Sequence, residues 1–280
     1  MTEKIDNKPV VIDLEKSIAS KNKRLAKSIP VFVMRYLKRT IHQEEMNEVL
    51  KKNRNVFGPE FVEALLHDFN ITYTVHNLDK VPKEGRYIFA SNHPLGGFDG
   101  VALMDMIIKN FAEPRVFVND LLTVIKNYDP LLLPVNKHGG QQRDVFKIID
   151  EALKTDRPIL DFPFGLVSRK VKGVVMDLEW KKTFVTRATN YESDILPVHF
   201  DSQNSNRFYR VAKWRKMLGI KANIEMFYLP DESFKKRNSH FDIYLGEPIS
   251  YKSITKEKSP KEWAAEIKKI AYSLKPKSRE

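Results

Sequence analysis

The pattern of apolar positions changes character near residue 70. Before it, apolar and basic residues recur at helical spacing; beyond it, short apolar runs of strand length alternate with amphipathic stretches. The strand candidates are 71–77, 86–91, 115–118, 131–135, 158–163, 195–200 and 241–246. Helices are predicted between them at 100–111, 120–127, 142–154, 180–191 and 206–218. Such interleaving predicts an α/β fold, a single domain with a central mixed sheet flanked by helices. In the first segment, 23–39 carries helical patterning, with Pro30 suited to a first turn, and further helices are expected at 43–53 and 60–69. Residues 1–69 thus read as a helical N-terminal cap and a candidate membrane-facing element. Residues 70–250 form the α/β core, and 251–280 a basic C-terminal helix at 259–274. No internal repeat, low-complexity tract or long linker indicates a second domain.

Composition narrows the function. With 280 residues, 42% of them hydrophobic, the chain can bury a substantial core. It has no cysteine, which removes disulfides, zinc–thiolate sites and thiol nucleophiles and suits a reducing, cytoplasmic setting. No run approaches the roughly 18 apolar residues of a membrane span, and the polar opening Met1–Lys8 is unlike a secretory signal. The net charge of +12 is concentrated in the flanks: residues 1–58 hold 13 Lys/Arg against 7 Asp/Glu, and residues 251–280 hold 9 against 4. A nearly neutral core with basic flanks points to docking on something anionic, or else to lysines that merely keep the protein soluble. The neutral core, and the absence of any nucleic-acid motif, speak against nucleic acid as the partner.

Candidate chemistry sits on two turns. The first, Ser91-Asn92-His93-Pro94-Leu95-Gly96-Gly97-Phe98-Asp99-Gly100, follows a strand candidate and precedes a buried helix. A neutral imidazole can take a proton from a hydroxyl when its other nitrogen is held by an acceptor, and Gly96 and Gly97 allow the chain to bring Asp99 back to His93. The plainer alternative is that Asp99 caps the helix and His93 is an ordinary turn residue. The second turn, Asp161-Phe162-Pro163-Phe164-Gly165-Leu166-Val167-Ser168-Arg169-Lys170, offers a hydroxyl and two cations beside Gly165. It would hold an anion or present N–H donors to an oxyanion, unless it is simply a tight connection with exposed basic residues. The other histidines show no metal-ligand spacing and read as structural, His138 alone lying on a plausible site loop.

These two turns, in this order and about 70 residues apart, resemble the glycerolipid acyltransferases, the superfamily of lysophosphatidic acid and glycerol-3-phosphate acyltransferases. Asn92-His93 with Asp99 matches the first motif, Phe162-Pro163 with Gly165 the third, and Ile195-Leu196-Pro197-Val198 the fourth. Leu131–Asn136 stands at the second. The chain departs by one extra residue between His93 and Asp99, by Phe164 in place of a glutamate, and by Asn136 where an arginine is usual. The resemblance implies acyl transfer from an acyl carrier protein or acyl coenzyme A thioester to a hydroxyl, with His93 as base and Asp99 orienting it. Gly96, Gly97, Gly165 and Ser168 would serve the oxyanion or substrate, and Arg143, Arg169 and Lys170 would rebuild an anion site. The acceptor would be a glycerol-phosphate, a lysophospholipid or an amino-acid-derived lyso-lipid. No metal or permanently bound cofactor is implied. A catalytically inactive lipid or acyl-carrier binding protein of the same fold is the alternative.

A third feature bears on location. Between Ser202 and Asn223 lie six cations (Arg207, Arg210, Lys213, Arg215, Lys216, Lys221) and no acid, interleaved with Phe208, Tyr209, Trp214, Met217 and Leu218. This reads as an interfacial helix on an anionic membrane surface, or as a surface helix whose aromatics pack on the core. The corresponding expectation is a cytoplasmic enzyme held peripherally on the inner face of the cell membrane.

Overall fold

In the computed structural model, residues 11–118, 125–134, 142–221 and 223–276 are described. The centre is a seven-stranded sheet in the order β1-β9-β8-β2-β5-β3-β4. Five strands run parallel: β4 (Leu132–Pro134), β3 (Arg115–Val118), β5 (Ile159–Asp161), β2 (Tyr87–Ser91) and β8 (Asp194–Asp201). Strand β9 (His240–Leu245) pairs antiparallel with β8, and β1 (Thr72–His76) runs parallel to β9, so the sheet is mixed. Each of the seven predicted strands corresponds to one of these.

The central strand shows why its sequence is an unbroken apolar run. Tyr87 and Phe89 enter the cluster on one face, Ile88 and Ala90 the cluster on the other, and both faces are covered. Helices α5 (Gly58–Asp68) and α6 (Phe98–Asn110) cover the first face through residues such as Phe61, Val62, Ala102 and Met106. Helices α7 (Gln142–Leu153), α8 (Thr183–Asn190) and α11 (Pro260–Ser273) cover the second through Val145, Phe184 and Ile267.

Helix α5 belongs to the core, so residue 69 marks a change of pattern and not a boundary of packing. The C-terminal helix is likewise integral: Ala264, Ile267 and Ala271 are fully buried, and a Ser259–Glu262 capping box with Pro260 in the first turn fixes its start. The peripheral cap is α1 (Leu14–Lys21), α2 (Lys23–Ser28), α3 (Val31–Thr40) and α4 (Gln43–Lys52). Pro30 separates α2 from α3 instead of sitting inside one helix, because a residue before proline is pushed out of helical conformation. Of the helix expected at 120–127, residues 120–124 lie outside the described residues, and Lys126–Tyr128 form one 3₁₀ turn.

Helix α9 (Asn206–Met217) matches its prediction; the hairpin β6 (Arg169–Val171)–β7 (Val174–Met176) and the short α10 (Leu229–Phe234) were not foreseen. A small cluster of Val167, Phe208 and Tyr209, with Met226 and Leu229 against it, ties this region together. The turns after β2 and β5 leave adjacent strands at the C-terminal edge of the parallel sheet, the edge where open α/β sheets keep their ligand crevices.

Candidate active site

The geometry of the first turn follows from its glycines. Gly96 adopts a φ of +78°, and a Cβ there would lie 2.5 Å from Val167, so neither the backbone path nor the space suits a larger residue. That bend absorbs the extra residue of the His–Asp spacing: His93 Nδ1 lies 3.0 Å from Asp99 Oδ2. Asp99 is fully buried in the first turn of α6 and accepts four backbone N–H groups. Leu95 (2.8 Å) and Gly96 (3.2 Å) donate to Oδ2, Gly97 (3.0 Å) and Gly100 (2.9 Å) to Oδ1. One carboxylate thus bonds the N–H groups around the helix start and also faces the imidazole.

Charge at the pair follows the same contacts. Burial opposes the charged form of each group, but the Asp99 carboxylate outweighs it at His93 and raises the imidazole pKa, with Asp177 contributing. The His93 charge and the backbone N–H donors hold Asp99 below its ordinary value despite its burial. His199 is the contrast: burial without a touching carboxylate pushes it down to about 4.

The backbone around His93 is locked by contacts of Asn92, Ser168 and Asp177, the last of them absent from the expectations. Asn92 exchanges two hydrogen bonds with the Phe200 backbone on β8, at 3.0 and 2.7 Å. The Ser168 N–H donates to the His93 carbonyl (2.8 Å), and the Ser168 hydroxyl to buried Asp177 (2.6 Å), which also accepts from the Trp180 indole (2.8 Å). The Phe162 ring packs against the imidazole at a tilt of 32°, with centroids 4.1 Å apart. The nearest signal for Asp177 in the sequence is an acid amid Val174-Val175-Met176 and Trp180, which does not announce its partner.

Two cavities share His93, Gly96, Gly97, Val101, Tyr128 and Gly165 in their walls. One, about 330 Å³, is polar on its far side, with Asp161, Lys181, Thr183 and Arg187. The other, about 310 Å³, is apolar, closed by Met46, Leu50 and Phe69 on one side and Met226, Leu229 and Phe234 on another. His93 Nδ1 is buried against Asp99, so the 21% of the side chain that is exposed belongs to its other atoms. A larger hollow, about 850 Å³, between the cap helices contains neither a histidine nor any strand-end group.

The remaining expected residues are placed as follows. Ser168 is buried beneath the turn. Arg169 pairs with fully buried Glu225 (2.9 Å), which also holds Arg215 (2.8 Å), and Lys170 reaches Asn206 (3.0 Å); neither cation lines the two cavities. The N–H groups of Gly96 and Gly97 are committed to Asp99, and that of Gly165 to the Phe162 carbonyl (2.8 Å), so the expected oxyanion donors are occupied within the protein. Arg143 lies in the first turn of α7, its side chain outside the described residues, as are Asn136 and His138. Phe164 is buried in the apolar cluster with Trp180 and Phe184, which accounts for an apolar residue in place of the glutamate. The cavity cations, Lys181 and Arg187, were missed; Arg187 is held by Asp161 (3.3 Å) and lies over the Phe117 ring. Among the described residues no cluster suited to a metal ion occurs.

On the surface, α9 buries Phe208, Tyr209 and Ala212 and exposes Trp214, Met217 and Leu218, the last two by 70% or more. Helix α3 exposes Val31 and Phe32 to a similar extent, and its Tyr36 meets Tyr228 at 3.0 Å. Within the 3₁₀ segment Ile224–Tyr228, Met226 lines the apolar cavity while Phe227 faces solvent. Among the described residues no helix is long and apolar enough to cross a membrane.

Comparison with known proteins agrees with the resemblance. The chain is 41% identical to a lyso-glycine lipid O-acyltransferase of Bacteroides thetaiotaomicron, over 96% of its own length and 99% of the relative's. It is 42% identical to a protein of the same name from Phocaeicola vulgatus, over 96% and 97%. A solved structure, the 1-acyl-sn-glycerophosphate (LPA) acyltransferase PlsC from Thermotoga maritima, is similar with a TM-score of 0.47 and 18% identity, covering 86% of this chain and 97% of that one. A family model described as acyltransferase matches residues 16–279, and the chain belongs to that acyltransferase family.

Proposed function

We propose that this acyltransferase moves a fatty acyl group from a thioester, on acyl carrier protein or coenzyme A, to the hydroxyl of an amino-acid-derived lyso-lipid, with His93 as general base and Asp99 orienting it. The observation that carries the reading is His93 itself, backed by a buried carboxylate and opening on a polar and an apolar cavity together. The nitrogen turned from Asp99 takes the acceptor's hydroxyl proton as that oxygen attacks the thioester carbonyl. Collapse of the adduct breaks the C–S bond, and the imidazolium returns the proton to the departing thiolate. Asp99 favours the charged imidazole formed in between. The relatives' names favour a glycine-lipid acceptor over a glycerol phosphate, and so does the engagement of Arg169 and Lys170 away from the cavities. The test offers the purified protein both thioesters and a panel of lyso-lipids, with products read by mass. His93→Ala should lower kcat/KM by about 10²–10⁴-fold with the fold intact. An active His93→Ala enzyme would sink the assignment, and acyl binding without turnover on any acceptor would favour the inactive-binder alternative.

The surface features support a site of action at an anionic membrane. Exposed Val31, Phe32, Trp214, Met217 and Leu218, with Lys213, Lys216 and Lys221 beside them, combine apolar area with cations. The 224–228 segment links that surface to the apolar cavity, a short route for a lyso-lipid from bilayer to His93. Trp214→Asp with Met217→Asp should abolish co-flotation with vesicles containing anionic lipid while leaving turnover of a short, soluble acceptor intact. Unchanged flotation would remove this surface from the reading.

A further inference from the structure

Lys181 is an exposed cation in the wall of the polar cavity. Its ammonium makes no ion pair or side-chain hydrogen bond among the described residues and acts on buried Asp161 only through space, whereas Arg187 in the same wall is paired with Asp161 and Arg169 with Glu225. Its position is nonetheless set. The Lys181 N–H donates to the Pro163 carbonyl (2.9 Å), fastening it to the turn that packs Phe162 against His93. A Cβ on Gly165 would lie 3.0 Å from Lys181 Nζ, so the ammonium lies over the bare backbone of a residue whose φ of +69° itself favours glycine. Gly165 borders both cavities, and the ammonium shares the polar one with His93.

We propose that Lys181 is a specificity-determining residue that binds a carboxylate on the acceptor lipid, holding the acceptor so that its hydroxyl meets His93. The assignment rests on the acyl-transfer reading above and names the acceptor class. A carboxylate fits better than a phosphate for a reason of supply. A phosphate monoester needs several donors and about two positive charges. Here the backbone N–H groups of Gly96, Gly97 and Gly165 are already bonded, and Asp161 stands in the same wall, paired with Arg187 and also drawing on the Lys181 charge. One ammonium, a point charge on a flexible stem, matches one singly charged group.

The experiment compares three acceptors of equal chain length: an N-acylglycine bearing a free hydroxyl, its glycinamide, and a lysophosphatidic acid. Binding is measured directly on the His93→Ala protein and on the same protein carrying Lys181→Ala, while turnover is measured on wild type and on single Lys181 variants. The proposal expects wild type to prefer the carboxylate over the amide by roughly tenfold or more in KM. Lys181→Ala should erase that preference with kcat little changed, Lys181→Arg should restore most of it, and Lys182→Ala, outside the cavity, should leave it unaltered. Retention of the carboxylate preference in Lys181→Ala overturns the proposal, and so does a phosphate acceptor bound more tightly than the carboxylate through Lys181. The binding arm decides the matter even if no acceptor is turned over; that result would sink the acyl-transfer reading separately.

Discussion

The turns that follow β2 and β5 are neighbours, leave the same edge of the sheet and are both bent by a glycine of positive φ, yet they use their polar side chains in opposite ways. In the first, His93 and Asp99 find each other within one turn, and the backbone between them supplies the carboxylate's hydrogen bonds. In the second, Ser168, Arg169 and Lys170 are bonded within the protein to Asp177, Glu225 and Asn206, an arrangement that suits girders as well as it suits a binding set. The charge that does enter the cavity beside that turn comes from Lys181, a dozen residues further on. A short-range polar pair is visible in sequence because chain geometry alone can bring it together. A long-range one is not, because its partner is chosen by the fold.

The comparison is broken most severely at Asp99. Asp99→Ala would leave the N–H groups of Leu95, Gly96 and Gly97 without their acceptor, Gly100 keeping the Gly97 carbonyl, at a cost of about 3–5 kcal/mol. Asp99→Asn keeps the shape but turns one accepting oxygen into an NH2 donor facing backbone N–H groups, so part of that stability is lost as well; in the folded protein kcat/KM should fall by about 10²–10⁴-fold, because the imidazolium loses its stabilising charge. The pH profile gives the sign. A general base works only when neutral, so activity is lost as pH falls through the His93 pKa, which Asp99 raises over the opposing effect of burial. Without that charge, burial dominates and the acid limb of kcat/KM should move to lower pH in Asp99→Asn. A limb displaced toward alkaline pH would show that His93 is not the base.

How much was legible follows the same division. The central parallel strands were readable as apolar runs buried on both faces, and β1 and β9 as alternating patterns, Phe241, Ile243 and Leu245 of β9 facing the core. The His93–Asp99 pair was readable because the two lie six positions apart across a flexible bend. The hairpin β6–β7 and α10 were too short to show periodicity, and they matter because they carry Arg169 and the apolar wall near Leu229. Lys181 was hidden among ordinary lysines. Its distinction is its place beside Gly165 in the cavity wall without an ion pair of its own, and that is a property of three-dimensional surroundings.

The mildest test sharpens the second turn. Arg169 is expected from the sequence to help hold an anion, yet its guanidinium is largely buried against Glu225, with Arg215 as the carboxylate's other partner. Arg169→Met retains the stem's packing and leaves Glu225 one arginine, so stability should fall by only about 1–3 kcal/mol. If the residue is a girder, KM for a carboxylate acceptor should stay within about twofold of wild type at a temperature where the variant is folded. Chemical denaturation and steady-state kinetics on one preparation check both values. A large rise in KM with unchanged stability would return Arg169 to the substrate, and the contrast between the two turns would then lie in how far they reach and not in what they do.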